Sequence, residues 1–82
     1  MLTVLRYKFQ LEDWFHLDLP MGAQILMADD FYLWAKVDTS QPPVARRFRL
    51  LGTGHPMDVS EQYRYISTFR DGTYVWHLFE IM

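Results

Sequence analysis

Hydrophobic and polar residues alternate with a period of two along most of the chain, which is the pattern of half-buried β-strands. In Leu2–Leu11, apolar side chains alternate with arginine, lysine and glutamine, and the alternation resumes in Trp14–Leu19. The acidic pair Glu12–Asp13 between them is typical of a turn. These two segments are therefore predicted to form a first hairpin.

The middle of the chain continues the same pattern. Asp29–Asp30 separates the short apolar segment Ala23–Met27 from Phe31–Asp38, and this arrangement predicts a second hairpin. A loop containing Pro42–Pro43 follows, after which Val44–Leu51 alternates again and is predicted to be a strand.

The last third of the chain has the clearest hairpin signal. Asp71–Gly72 is a preferred pair for a type I′ turn, which pairs Arg70 with Thr73. One face of this hairpin is predicted to face the core and consists of Tyr65, Phe69, Tyr74, Trp76 and Leu78. The opposite face is too polar for a core and too apolar for plain solvent, which predicts a contact face of Arg64, Ile66, Thr68, Arg70, Val75, His77 and Phe79.

Together these segments predict an all-β fold of about seven short, mainly antiparallel strands, arranged as a small sandwich or a partly open barrel. Residues 1–82 are expected to form a single domain. At most one short helical turn is expected, in residues 56–62, because Asp58 or Ser60 can cap its free amides. Exposed edge strands invite pairing with a second copy, so a homo-oligomer is expected.

Composition narrows the class of protein. The 82 residues are 50% hydrophobic and 17% aromatic, which excludes a disordered linker. Without cysteine the fold depends on a hydrophobic core, and a reducing compartment fits best. The net charge of −2 lacks the basic excess of a protein that coats nucleic acid, so any anion site is expected to be local. No apolar run approaches the length of a membrane-spanning helix, and a soluble cytosolic protein is expected.

A strand with three arginines runs into a glycine-bracketed turn, and this is the strongest candidate for a binding site. The arginines are Arg46, Arg47 and Arg49, and the turn is Gly52–Pro56. Guanidinium groups bind phosphate or carboxylate in a bidentate manner, and glycines let successive amides form an anion nest. Alternation places Arg46 opposite the other two, so at most two are expected to touch one ligand. The alternative is an edge strand protected against aggregation, followed by an ordinary turn.

Aromatic and histidine side chains complete this predicted site. A tryptophan can stack on a base, and a histidine near the turn can act as a switchable donor. The full set of predicted ligand-binding residues is Arg46, Arg47, Arg49, Gly52, Thr53, Gly54, His55, Trp34, Trp76 and His77. The segment is neither a Walker loop, which needs a lysine at fixed spacing, nor a dinucleotide fingerprint, which needs a following helix.

Catalysis has no positive support in the sequence. The three histidines lie on different segments without the spacing of a metal site, and turns account for the paired acids. The serines lack the flanking glycines of a nucleophile elbow. The sequence therefore predicts a protein that is not an enzyme and that uses no metal or other cofactor.

The succession of motifs resembles a family of small phage and prophage proteins of unknown function. The resemblance covers nearly the whole chain and is most specific in Gly52–Pro56, which reads Gly-Thr-Gly-His-Pro, and in Val75–His77, which reads Val-Trp-His. It also includes the arginine-rich segment Arg46–Arg49. The resemblance implies viral origin, a compact β fold and no established activity.

The expected function follows from this resemblance together with the predicted site. It is a phage accessory protein of the host cytoplasm, acting against host defence by binding a small anionic ligand, such as a nucleotide second messenger, without catalysis. One alternative is an inhibitor that docks on a host defence protein or nuclease through the predicted contact face. Another is a structural or morphogenesis component of the virion, for which self-association through edge strands would suffice. Neither a membrane nor general nucleic-acid coating is expected.

Overall fold

The computed structural model describes residues 1–82, which form seven β-strands and no helix. The strands are β1 (Leu2–Lys8), β2 (Trp14–Pro20), β3 (Gln24–Asp29), β4 (Tyr32–Asp38), β5 (Pro43–Gly52), β6 (Tyr63–Asp71) and β7 (Tyr74–Ile81). They build two antiparallel sheets, a three-stranded sheet in the order β1-β4-β3 and a four-stranded sheet in the order β2-β5-β7-β6. The prediction of a small all-β sandwich is confirmed.

The predicted first hairpin is wrong, because β1 and β2 lie in different sheets. Leu5 of β1 pairs with Ala35 of β4, whereas Leu17 of β2 pairs with Arg46 of β5. Alternation identifies a strand and its buried face, but it does not identify the strand's partner. The second hairpin is confirmed, since β3 pairs with β4 across the Asp29–Asp30 region.

The core lies between the two sheets and is rich in phenylalanine. The largest fully buried side chains are Phe48, Leu19, Leu33, Leu50, Leu78 and Val37. Phe15 stacks on both Phe9 and Phe48, with ring centroids 5.0 and 5.3 Å apart, and Phe31 meets Phe69 edge to face at 5.3 Å. Burial of each such side chain stabilises the fold by about 1.5–3 kcal/mol, which a domain without disulfides needs.

The edges of the two sheets also meet, at β3 and β6. The amide of Ala28 on β3 donates to the Ser67 hydroxyl of β6 at 2.9 Å. A β-bulge between Tyr65 and Ser67 interrupts the pairing of β6 with β7. Bulges bend an edge strand locally, and this one lets Ile66 pack against the core.

The last hairpin is confirmed, but its two-residue loop lies one residue further along the chain than predicted, so the cross-strand partners near the turn shift by two residues and Phe69 faces Trp76. Asp71 pairs with Tyr74, so the two-residue loop is Gly72–Thr73. Gly72 has a φ of 60°, whereas Thr73 is not among the residues with positive φ, and this combination is typical of a type II′ turn with glycine at its first position.

Two of the predicted core residues of this hairpin are instead exposed. Tyr65 is 58% exposed because the bulge turns it outward, and Tyr74 is 66% exposed because it lies at the end of the hairpin. Phe69 and Leu78 are buried as predicted, and Trp76 packs against the core. The bulge likewise removes Arg64 and Ile66 from the predicted contact face, since Arg64 pairs with the buried Glu80 and Ile66 packs against the core.

The predicted helical turn in residues 56–62 is wrong. The Asp58 carboxylate accepts hydrogen bonds from the Ser60 amide at 2.9 Å and from the Ser60 hydroxyl at 2.8 Å. These bonds lower the pKa of Asp58, with the amide of Ser60 contributing most. The capping chemistry expected of these two residues therefore closes a local turn and not a helix.

Candidate functional site

The turn Gly52–His55 begins at the last residue of β5 and is fixed by hydrogen bonds within the chain. The amide of Gly52 donates to His55 Nδ1 at 3.3 Å, and the amide of His55 donates to the Gly52 carbonyl at 3.1 Å. Gly54 has a φ of 90°, a conformation that favours glycine. At Gly52 a Cβ would approach the His55 ring to 3.0 Å, so the glycine lets the imidazole lie flat against the backbone.

These hydrogen bonds argue against the predicted anion nest at this turn. The amide of Thr53 donates to the carbonyl of Val75 at 3.3 Å, so three of the four amides in Gly52–His55 are bonded to acceptors of the chain. An anion nest needs successive amides that point into one open concavity. Recognition by this turn therefore has to rely mainly on its side chains.

The turn and the last hairpin border one cavity of about 450 Å³ that is open to solvent on one side. Its walls are Gly52, Thr53 and His55 from the turn and Thr73, Tyr74, Val75 and Trp76 from the hairpin. The rings of Tyr74 and Trp76 stack with centroids 6.0 Å apart and planes 26° from parallel. The structure thus brings Gly52, Thr53, His55 and Trp76 of the predicted site together.

The indole of Trp76 leaves a polar group without a partner. Its Nε1 is buried and has no hydrogen-bond acceptor in the chain. A buried donor without an acceptor costs about 1–3 kcal/mol, so the position of this indole lowers the stability of the fold.

A chain of four hydrogen-bonding side chains leads from the cavity across the outer face of the four-stranded sheet. Thr53 Oγ1 lies 2.8 Å from His77 Nε2, and His77 Nδ1 lies 2.9 Å from Thr68 Oγ1. Thr68 Oγ1 in turn lies 2.8 Å from the Tyr65 hydroxyl. Both ring nitrogens of His77 therefore form hydrogen bonds, and the imidazole fixes the position of the Thr53 side chain from the outer face of the sheet.

Two of the three predicted arginines are held by groups of the protein itself. Arg46 lies on the core side of β5, where its Nε and Nη2 donate to the Glu80 carboxylate at 2.6 and 2.8 Å and its Nη1 donates to the Ala23 carbonyl at 2.6 Å. The hydrogen bond to Glu80 is the main reason that the pKa of Arg46 is raised. This bidentate pair is an internal structural contact.

Arg49 is 8% exposed on the opposite face of β5. Its Nη1 donates to the carbonyls of Leu50 at 2.6 Å and Asp13 at 3.1 Å. Its guanidinium carbon lies 4.7 Å from the centre of the Trp14 ring, a cation–π contact. Arg49 therefore fastens the start of β2 to β5.

Arg47 is exposed and pairs with His16 across β2 and β5. It borders a separate hollow of about 260 Å³ with Trp14, His16 and Ile81. The prediction that Arg46 lies opposite Arg47 and Arg49 is confirmed by this placement. None of the three arginines lines the cavity beside Gly52–His55.

The remaining predicted residues are also accounted for. Trp34 lies on β4 of the three-stranded sheet, paired with Arg6 and Met27, and does not border the cavity. His77 contacts the site only through Thr53. The protein contains no group of three or more histidine, aspartate or glutamate side chains placed to hold a metal ion.

Sequence reasoning missed three residues that line the cavity, Thr73, Tyr74 and Val75, the last of which was predicted only on the contact face. The predicted register placed Tyr74 in the core. The available signal was the glycine at position 72, which suits the first position of a type II′ loop as well as the second position of a type I′ loop. The type II′ loop, which is the one observed, moves Tyr74 to the end of the hairpin.

Fold and site together define a small all-β protein with a neutral, partly aromatic cavity between a turn and a hairpin. The profile of a family described as a domain of unknown function (DUF7352) matches residues 1–82, and the chain belongs to this family. No curated protein and no solved structure matches the chain. The structure contains no helix that is long and apolar enough to cross a membrane.

Proposed function

We propose that this protein binds a small nucleotide without catalysis and holds the nucleobase in the cavity between Gly52–His55 and the last hairpin. One observation carries the proposal. The two motifs that are most distinctive in the resemblance to small phage proteins, Gly52–Pro56 and Val75–His77, are far apart in sequence and meet around this cavity.

The chemistry of the walls supports a planar, uncharged ring as the part of the ligand that is enclosed. Tyr74 and Trp76 offer aromatic faces, and Thr53, Thr73 and His55 offer neutral hydrogen-bonding groups. Stacking of a base on an aromatic side chain is worth about 1–3 kcal/mol. Because no lysine or arginine lines the cavity, the phosphate of the nucleotide lies at the solvent side.

The surroundings of Thr53 support binding without chemistry. Thr53 and His77 have the spacing of a nucleophile and a base, but the group behind His77 is the Thr68 hydroxyl and not a carboxylate. A carboxylate is what stabilises the imidazolium that forms during acyl transfer. The amides of Gly52, Thr53 and His55 are bonded inside the chain and supply no oxyanion hole.

The biological setting that we propose is a phage-encoded protein that withdraws a nucleotide signal from a host defence pathway. The resemblance to small phage proteins supports this setting, and a binding protein without catalysis fits it because sequestration needs only affinity. The proposal places the protein in the host cytoplasm, where such signals act.

The test is calorimetry against a panel of mononucleotides and cyclic nucleotides, using protein freed of bound nucleic acid. We expect at least one nucleotide to bind, and Tyr74→Ala to weaken that binding by about 5- to 150-fold, the equivalent of one lost stacking contact. Trp14→Ala is the matched control, because Trp14 is also exposed, at 47%, but borders no part of this cavity and lies outside the hydrogen-bond chain that starts at Thr53.

Gly52→Ala provides a second probe of the same cavity. The added methyl group would press on the His55 ring at 3.0 Å, while the backbone of residue 52 needs no positive φ. We expect weakened binding in a protein that remains folded. The absence of heat with every nucleotide, or equal binding by the Tyr74→Ala variant, would contradict the proposal.

A second candidate function, inhibition of a host protein, is supported by a row of aromatic side chains across the outer face of the four-stranded sheet. The row crosses all four strands, because Trp14 on β2 pairs with Arg49 on β5, Arg49 pairs with Phe79 on β7, and Phe79 pairs with Tyr65 on β6. Trp14 is 47% exposed, and Tyr65 meets Phe79 edge to face at 5.6 Å. Aromatic side chains dominate binding energy at protein interfaces, and the exposed members of this row are Trp14 and Tyr65. If the protein inhibits a host protein through this face, Trp14→Ala abolishes the biological effect and leaves nucleotide binding unchanged.

A further inference from the structure

The outer face of the three-stranded sheet carries a second cluster of binding chemistry, far from the cavity in the fold. Register places Lys8 beside Tyr32, Arg6 beside Trp34 and Val4 beside Lys36. Residues of a strand alternate between faces, so these six side chains lie on the same outer surface. Lys8 and Lys36 are the only two lysines in the protein, and both are on this face.

Two of the cations converge on one aromatic ring. The guanidinium carbon of Arg6 lies 4.5 Å from the centre of the Tyr32 ring, and the Lys8 ammonium lies 4.7 Å from the same centre. Neither cation forms a salt bridge, since the three ion pairs of the protein involve other cationic groups. Like charges placed side by side repel, and an anion between them removes the repulsion.

Carboxylates on this face do not neutralise the cluster. Asp38 accepts hydrogen bonds from the amino terminus at 3.1 Å and from the Ser40 hydroxyl at 2.7 Å, so its charge is already paired. Asp29 lies next to Tyr32 on the same face, on the β3 side, but forms no ion pair with Arg6 or Lys8, so one unpaired carboxylate faces three cations. The face therefore has a local positive charge although the whole chain has a net charge of −2.

Trp34 adds a stacking surface to the cations. It lies on the central strand between Arg6 on β1 and Met27 on β3, and it is partly exposed. Its ring centre is 6.0 Å from that of Tyr32. Cations that surround an accessible aromatic ring are the combination that binds single-stranded nucleic acid, with phosphates on the cations and a base on the ring.

We infer that the outer face of the three-stranded sheet binds single-stranded nucleic acid, with Arg6, Lys8 and Lys36 contacting phosphates and Trp34 stacking on a base. An acidic peptide would use the same cations but would leave Trp34 without a planar partner. A duplex is disfavoured because its bases are stacked on one another and cannot reach the indole. Three phosphate contacts imply modest affinity, unlike that of a coating protein.

The test is fluorescence anisotropy with labelled oligothymidylate and oligouridylate at a series of salt concentrations between about 50 and 200 mM. Three contacts predict a slope of log K against log salt of about −2. We expect Arg6→Gln combined with Lys8→Gln to reduce the magnitude of the slope by about 1.4. Trp34→Ala is expected to weaken binding by about 5- to 150-fold and to affect the salt dependence little.

Arg47→Gln is the matched control, because it removes an exposed arginine from the outer face of the other sheet. It is expected to leave the affinity and the slope unchanged. Absence of binding at low salt, equal losses from Arg47→Gln, or tighter binding of oligoglutamate than of either oligonucleotide would each overturn the inference. The Tyr74→Ala variant separates this site from the nucleotide cavity, since it is expected to keep full oligonucleotide binding.

Discussion

Removal of the Arg46 guanidinium tests how much the buried ion pair between Arg46 and Glu80 stabilises the fold. The Glu80 side chain is 7% exposed, and its two oxygens accept hydrogen bonds from Arg46 at 2.6 and 2.8 Å. In the Arg46→Met variant the stem of the side chain is retained, but the buried carboxylate loses its partner. The Ala23 carbonyl loses its 2.6 Å donor as well.

The expected loss is large relative to the stability of so small a domain. Breaking a buried ion pair by removing one partner costs about 3–5 kcal/mol. Because the Arg46 side chain is 20% exposed, water screens part of this pair, and we expect about 3 kcal/mol, the lower end of that range. A domain of this length has a free energy of unfolding of about 4–12 kcal/mol, and each kcal/mol lowers Tm by about 4–8 °C.

The assay is urea unfolding of Arg46→Met, Glu80→Leu and the double variant, followed by tryptophan fluorescence. Glu80→Leu is expected to cost less than Arg46→Met, because the released guanidinium can turn toward solvent. The double variant is expected to be clearly more stable than the sum of the two losses predicts, since two apolar side chains replace the pair. Strictly additive losses would refute the reasoning, because they would mean that the two charges do not stabilise each other.

Three further outcomes are expected. The pKa of Asp38 is lowered, chiefly by the hydrogen bond from the Ser40 hydroxyl. The ionised Asp38 therefore stabilises the fold at neutral pH, and this effect is lost as the pH falls below about 4. The urea midpoints of Asp38→Asn and the parent protein should differ at pH 7 and converge in acid. Gly54→Ala should lower the free energy of unfolding by about 1–2 kcal/mol, because Gly54 has a φ of 90°, and an unchanged urea midpoint would contradict this. Ser67→Ala removes the acceptor of the Ala28 amide and should cost about 1–3 kcal/mol, with faster hydrogen exchange of that amide as its specific signature.

Most strands could be predicted from the sequence because alternation is a local property. The strands β2, β4 and β5 begin and end within a residue of the predicted segments. The partners of β1 and β2 could not be predicted, since pairing is decided by which apolar faces can be buried together across the whole chain. Nothing near Arg46 in sequence indicates Glu80, which lies on a different strand.

The candidate site was predictable in part for similar reasons. The turn at Gly52–His55 and the indole of Trp76 carry recognisable local chemistry, and the structure places them around one cavity. The arginines carry equally recognisable chemistry, but their partners inside the fold were invisible from the sequence. A single bulged residue, Ile66, was enough to exchange the faces on which its neighbours lie.

The position of β7 has a consequence for how the protein forms during synthesis. It is the last of the seven strands, yet it pairs with both β5 and β6 and fills the middle of the four-stranded sheet. The β3–β4 hairpin can close early on the ribosome, whereas this sheet stays incomplete until β7 emerges. Dependence on such distant pairings slows folding and leaves unpaired strand edges open to other chains in the meantime. Nascent chains that stall before β7 are therefore expected to aggregate.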